Sequence, residues 1–130
     1  MEDKIKVVMI DDDKHLANLL STILTPDEFE VHTSSDPCLG LDFIREIQPD
    51  VVLLDWMMPE KEGIELLADI KKLEDMKQIA VFMMTSKGML SDVNQLFSTG
   101  ADDYIAKPFN PALIAKQIKQ KLAKFQKRKV

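Results

Sequence analysis

The groups best suited to chemistry are three adjacent carboxylates, Asp11-Asp12-Asp13, a lone Asp55, the hydroxyl pair Thr85-Ser86, and a lysine before proline, Lys107-Pro108. Each lies at the end of a short apolar run: Val7–Ile10, Val51–Leu54, Ile79–Met84 and Tyr104–Ala106. If those runs are strands of one parallel sheet, their carboxyl ends bring the groups together. Carboxylates that close repel, and some would have to bind protons at neutral pH. A divalent cation offsets the repulsion and keeps them ionised. Oxygen-only ligands favour a hard ion, and Mg²⁺ takes one or two carboxylates while keeping several waters. An ionised Asp beside such a cation and a lysine is equipped to attack phosphorus. The metal and ammonium would neutralise the phosphoryl oxygens, and Thr85 would donate a hydrogen bond to one. Singly, each group has a plain structural use: an acidic run caps a helix or sits in a solvated loop, and a strand-terminal Asp caps a turn. Their joint placement points to a site.

The elements that would position these groups can be read from the hydrophobic pattern. Leu16, Leu19, Leu20, Ile23 and Leu24 recur at helical spacing after the first run, and Thr25-Pro26 ends that helix. Phe29, Val31 and Thr33 alternate with Glu30 and His32, the pattern of a strand wet on one side. Asp36-Pro37 is an N-cap followed by proline at the first helical position, for a helix marked by Leu41, Ile44 and Ile47. Leu66, Leu67, Ile70 and Leu73 mark a third helix, and Val93, Leu96 and Phe97 a fourth that ends at Gly100. Ile114, Ile118, Leu122 and Phe125 carry a fifth. The order is (βα)₅, an α/β class with a doubly wound parallel sheet. Runs one, three and four are continuously apolar and belong inside the sheet. The alternating second and the short fifth belong at its edges. The strand order is then 2-1-3-4-5, the flavodoxin-like winding, whose ligands sit at the switch point between strands one and three.

Composition narrows the function. With 130 residues the chain is one domain, and 45% hydrophobic content suits a packed core. A net charge of −5 is a poor basis for nucleic-acid binding by the whole domain. The charge is uneven, since all 22 acidic residues precede Lys116 while seven of the 17 basic ones lie from there on. That end reads as a solvated helix face running into a linker, with an acidic partner as the sharper alternative. One cysteine, Cys38, excludes an internal disulfide and a cysteine-rich zinc site. The longest apolar run has six residues, against roughly 20 needed to span a bilayer. The expectation is a soluble, cytoplasmic domain without a membrane partner.

Taken jointly, Val8-Met9-Ile10-Asp11-Asp12-Asp13, Pro49–Asp55 with Met58-Pro59 and Gly63, Met83-Met84-Thr85 and Gly100–Phe109 resemble the receiver domain of two-component response regulators. The spacings of 43, 30 and 22 residues from Asp12 to Asp55 to Thr85 to Lys107 are similar to that family's. The resemblance implies Asp55 as phospho-acceptor and Asp12 as a direct Mg²⁺ ligand. It implies that Asp11 acts on the ion through water and that the Met57 backbone carbonyl is a further ligand. It makes Thr85 the switch hydroxyl, Lys107 the cation paired with Asp55 or its phosphoryl group, and Tyr104 the aromatic switch. The Lys107–Pro108 bond would be cis, a form accessible mainly before proline. The receiver would span residues 1–126, with 127–130 a basic tail or linker start.

The implied partners are a sensor histidine kinase or phosphotransfer protein and an output partner or effector domain. The latter would read the face of the fourth helix, fifth strand and fifth helix, with a homodimer through that face as a further possibility. No turnover of an outside substrate is expected. Asp13 reads as the N-cap of the first helix, and Trp56 as a residue at the rim of the site. Cys38, His15 and His32 have no partners at ligand spacing. Two departures from the common pattern stand out. Ser86 occupies a place where alanine is usual. Met57 and Lys87, two residues beyond Asp55 and Thr85, are not types that readily position an attacking water, so a long-lived aspartyl phosphate is expected. A Mg²⁺-dependent phosphohydrolase with an Asp nucleophile after the first strand needs Thr or Val where His15 stands. A scaffold that works without phosphorylation would usually lack one of the acidic pair, the acceptor or the lysine, all of which are present.

Overall fold

A computed structural model describes residues 4–24, 26–56, 63–86 and 93–128, apart from the side chains of Val93 and Leu96. The elements alternate as β1 (Ile5–Ile10), α1 (Lys14–Ile23), β2 (Phe29–Ser34), α2 (Gly40–Ile47), β3 (Val51–Asp55), α3 (Gly63–Lys71), β4 (Ala80–Ser86), α4 (Val93–Thr99), β5 (Asp103–Lys107) and α5 (Ile114–Arg128). The five strands form one sheet in the order 2-1-3-4-5, with every pairing parallel. That is the expected doubly wound fold.

The sheet separates two apolar layers because successive strand residues point to opposite faces. Val7, Met9, Val51, Leu53, Phe82 and Met84 face α1 and α5, where Leu20, Ile114, Ile118 and Leu122 meet them. Val8, Ile10, Val52, Leu54, Val81 and Met83 face the other way, onto Ile44 of α2 and Leu66, Leu67 and Ile70 of α3. Each fully buried aliphatic side chain contributes about 1.5–3 kcal/mol relative to exposure. All of β3 is buried, whereas β2 is buried only at Phe29, with Thr33 exposed rather than inward, and β5 is largely half-buried. The central strand carrying Asp55 is therefore the best anchored.

Local signals set most of the boundaries. The Asp13 carboxylate accepts hydrogen bonds from the His15 and Leu16 amides at 3.0 and 3.1 Å, as its N-cap reading requires. Gly100 closes α4 with φ +119°. Asp36 does accept from the Cys38 amide at 2.9 Å, but Pro37–Leu39 is a 3₁₀ turn and α2 starts only at Gly40. A Cβ at position 40 would lie 2.7 Å from a Leu66 methyl, so the regular helix begins where α2 can approach α3. β4 and β5 run longer than their apolar cores because Thr85 pairs with Ala106 and Ser86 with Lys107. Lys107 is thus the last residue of its strand. α5 runs to Arg128, whose guanidinium donates to the Asp102 carbonyl at 3.3 Å. No helix among the described residues is long and apolar enough to cross a membrane.

Candidate functional site

The carboxyl ends of β1, β3, β4 and β5 converge on a cavity of about 400 Å³ lined in part by Asp11, Asp12, Asp55 and Lys107. Asp11 follows β1 directly and Asp55 ends β3. The switch-point topology brings these two carboxylates to the same edge. Asp11 and Asp55 are buried, whereas Asp12 is exposed. The Lys107 ammonium reaches in from β5 and bridges both buried carboxylates, donating to Asp11 Oδ2 at 3.0 Å and Asp55 Oδ1 at 3.2 Å. Asp11 Oδ1 is held in turn by the Asp13 amide at 2.9 Å. The same tight turn that caps α1 therefore orients the first carboxylate of the site.

Burial, and then the neighbouring charge of Asp11, push the Asp55 carboxyl up from 3.8 to about 6, with Lys107 opposing both. Burial works against the Lys107 ammonium, but its contacts to Asp11 and Asp55 outweigh this and hold it above its ordinary value. One cation serves two buried carboxylates, and the exposed Asp12 adds a third negative charge. Among the described residues, the cluster is short of positive charge.

The donor set suits a hard divalent ion. Asp11, Asp12 and Asp55 each offer a carboxylate oxygen, and these atoms lie within 4.8 Å of one another. Their mutual repulsion is what such an ion would relieve. The Met57 carbonyl expected to join them lies outside the described residues, as does Lys87. At the end of β4, the Thr85 hydroxyl is the buried side-chain polar atom left without a hydrogen-bond partner among the described residues. An orphan of this kind costs about 1–3 kcal/mol. Its chain neighbours Met84 and Ser86 line the cavity, so the orphaned hydroxyl belongs to a strand end that borders the site.

Tyr104 sits apart from the carboxylates, on the α4–α5 side of β5. Its ring meets Phe97 edge-on at 6.4 Å, and the Lys121 ammonium lies 5.7 Å from it while pairing with Asp103 at 3.0 Å. Trp56 lines the cavity, in keeping with its expected place at the site, but it is only 5% exposed and also packs in the core layer beneath α2 and α3. It follows the last residue of β3 directly, and its amide still donates to the Met84 carbonyl at 3.2 Å. His32 has a carboxylate beside it after all, Glu30 at 2.7 Å on the exposed edge strand. The cis Lys107–Pro108 bond is present. The Lys107–Asp11 contact was not foreseen. It joins residues 96 positions apart and has no local signal.

Relatives share this frame. The chain is 35% identical over 122 residues to "Regulatory protein VanRc" of Enterococcus gallinarum, covering 94% of this chain and 52% of that one. It is 33% identical over 121 residues to "Transcriptional regulatory protein SrrA" of Staphylococcus aureus, covering 93% and 49%. The chain thus spans about half the length of the curated relatives it matches. Among solved structures, a CheY-like response regulator receiver domain protein from Methanospirillum hungatei superposes with a TM-score of 0.84 at 29% identity, over 97% of this chain and 99% of that one. The sequence model of the response regulator receiver domain matches residues 7–119, and the chain belongs to that family of two-component signalling domains.

Proposed function

We propose that this domain accepts a phosphoryl group on Asp55, from the phosphohistidine of a sensor kinase or phosphotransfer protein or from a small acyl phosphate. The observation that carries the reading is one ammonium bridging two buried carboxylates at the carboxyl end of the sheet, where β4 carries a buried hydroxyl without a hydrogen-bond partner among the described residues. An Asp55 carboxylate oxygen forms the new O–P bond. The P–N or P–O bond to the donor breaks, and its electron pair leaves with the imidazole or the carboxylate. Lys107 moves its hydrogen bond onto a phosphoryl oxygen, and the Thr85 hydroxyl donates to another. Asp11, Asp12 and Asp55, with the Met57 carbonyl, would hold Mg²⁺, which when bound supplies positive charge for the phosphoryl oxygens.

The regulatory consequence follows from position. Thr85 is the penultimate residue of β4, and its ladder partner Ala106 lies on β5 two residues from Tyr104. Drawing Thr85 toward the phosphoryl group alters the space beside Tyr104, whose ring leans on Phe97 of α4. The α4–β5–α5 face then shifts between two populations that an output partner, an effector domain or a second copy distinguishes. The domain modifies itself and turns over no outside substrate. We place it in the cytoplasm, as receiver residues 1–126 with residues 127–130 a basic tail or linker start.

The test is mass spectrometry after incubation with acetyl phosphate and Mg²⁺. A gain of one phosphoryl group that is lost with EDTA and absent from Asp55→Asn is the expected result. An unmodified wild-type chain, or a variant modified equally, would overturn the assignment and leave a phosphorylation-independent scaffold in its place.

A further inference from the structure

We propose that Gly63 is a positioning residue for Asp55, its missing side chain letting the start of α3 close onto the acceptor's own carbonyl. The proposal rests on the reading of Asp55 as phospho-acceptor. A Cβ built at position 63 would stand 1.9 Å from the Asp55 carbonyl oxygen, 2.8 Å from its carbon and 3.1 Å from the Trp56 Cα. Real Cβ contacts stay above 3.0 Å, so relief needs more than 1 Å of movement. The obstacle is backbone, not the end of a flexible side chain. Unlike Gly100, Gly63 is not among the residues with positive φ. Its glycine is therefore demanded by contact rather than by conformation.

Both sides of that contact are anchored. The Gly63 amide donates to the Trp56 carbonyl at 2.7 Å, and the Trp56 amide donates to the Met84 carbonyl at 3.2 Å. Behind Gly63, Leu66, Leu67 and Ile70 fix α3 in the core layer, and all three are buried. A side chain at 63 either lifts the helix from that layer or pushes the end of β3. The second course moves the atoms from which the acceptor carboxylate hangs. Asp55 Oδ1 is already 3.2 Å from Lys107, so a shift of this size breaks the bond. Misplacing a reacting group by about 1 Å costs on the order of 100-fold in rate.

The experiment compares wild type, Gly63→Ala and Ile70→Val. The second variant loosens the same helix without touching the Asp55 carbonyl. Two readouts are taken well below the melting temperature: the rate of phosphorylation by acetyl phosphate with Mg²⁺, and beryllofluoride binding followed by Trp56 fluorescence. A folded Gly63→Ala chain should phosphorylate about 100-fold more slowly, bind beryllofluoride correspondingly weakly, and leave Ile70→Val near wild type. Equal losses in both variants would show general loosening of α3 and overturn the proposal. So would a Gly63→Ala chain that reacts normally or does not fold, since glycine would then serve nothing or only the fold. A wild-type chain that takes no phosphoryl group removes the acceptor reading itself, and this inference with it.

Discussion

Replacing Asp55 with Asn removes one negative charge from a cluster that, among the described residues, holds a single cation, Lys107. In the metal-free protein this should stabilise the fold at neutral pH. Folding raises the Asp55 carboxyl from 3.8 to about 6, so the folded state binds more protons than the unfolded state between those values. Stability from this group is therefore fully present below about 3.8 and is lost as pH rises through about 6. That rise caps the effect at about 3 kcal/mol. The cleft is open to solvent at Asp12, and screening reduces the figure to about 1–2 kcal/mol. Urea denaturation of both chains in EDTA, at intervals from pH 4 to pH 8, measures it. The variant should be more stable at pH 8, and the gap should shrink steadily toward pH 4. A gap that does not change with pH, or a variant less stable at pH 8, would refute the claim that Asp55 is strained by burial and by Asp11.

Three further outcomes follow from the same geometry. Lys107→Met leaves Asp11 and Asp55 without their shared cation, and breaking a buried pair in this way costs about 3–5 kcal/mol. That loss should be largest in EDTA at neutral pH and smaller in acid or with Mg²⁺, and thermal melts showing no pH or Mg²⁺ dependence would contradict it. Thr85→Val removes the unpartnered hydroxyl while keeping its shape, so the resting protein should gain about 1 kcal/mol and beryllofluoride affinity should fall. A less stable variant with unchanged affinity would mean that the hydroxyl already has a partner. With Met57 and Lys87 in place of residues that position water, phosphorylated Asp55 should persist for minutes or longer after the acyl phosphate is removed. Decay within seconds, in the absence of a phosphatase, would show that another group activates water.

Much of this was legible along the chain, because strand burial and helix periodicity leave marks in local composition. The continuous runs Val51–Leu54 and Ile79–Met84 placed β3 and β4 inside the sheet, and Phe29–Thr33 placed β2 at its edge. Asp13 announced its cap, and Gly100 the end of α4. Asp11, Asp55, Thr85 and Lys107 could be placed at one sheet edge because parallel strands all end on the same side. What the sequence left open depends on contacts between distant residues or on which way a side chain turns. Trp56 reads as a rim residue because it is next to the acceptor, and it does line the cavity, but most of its ring is buried in the core layer. Pro37 looked like the start of a helix, but α2 waits for Gly40 to pack on Leu66. The bridge from Lys107 to Asp11, the orphaned Thr85 hydroxyl and the approach of Gly63 to the Asp55 carbonyl arise only when separate strands and a helix are brought within a few ångströms. No periodicity records such distances. The residue types determined which chemistry is available to this chain, and tertiary packing decided the geometry and charge balance in which those residues stand.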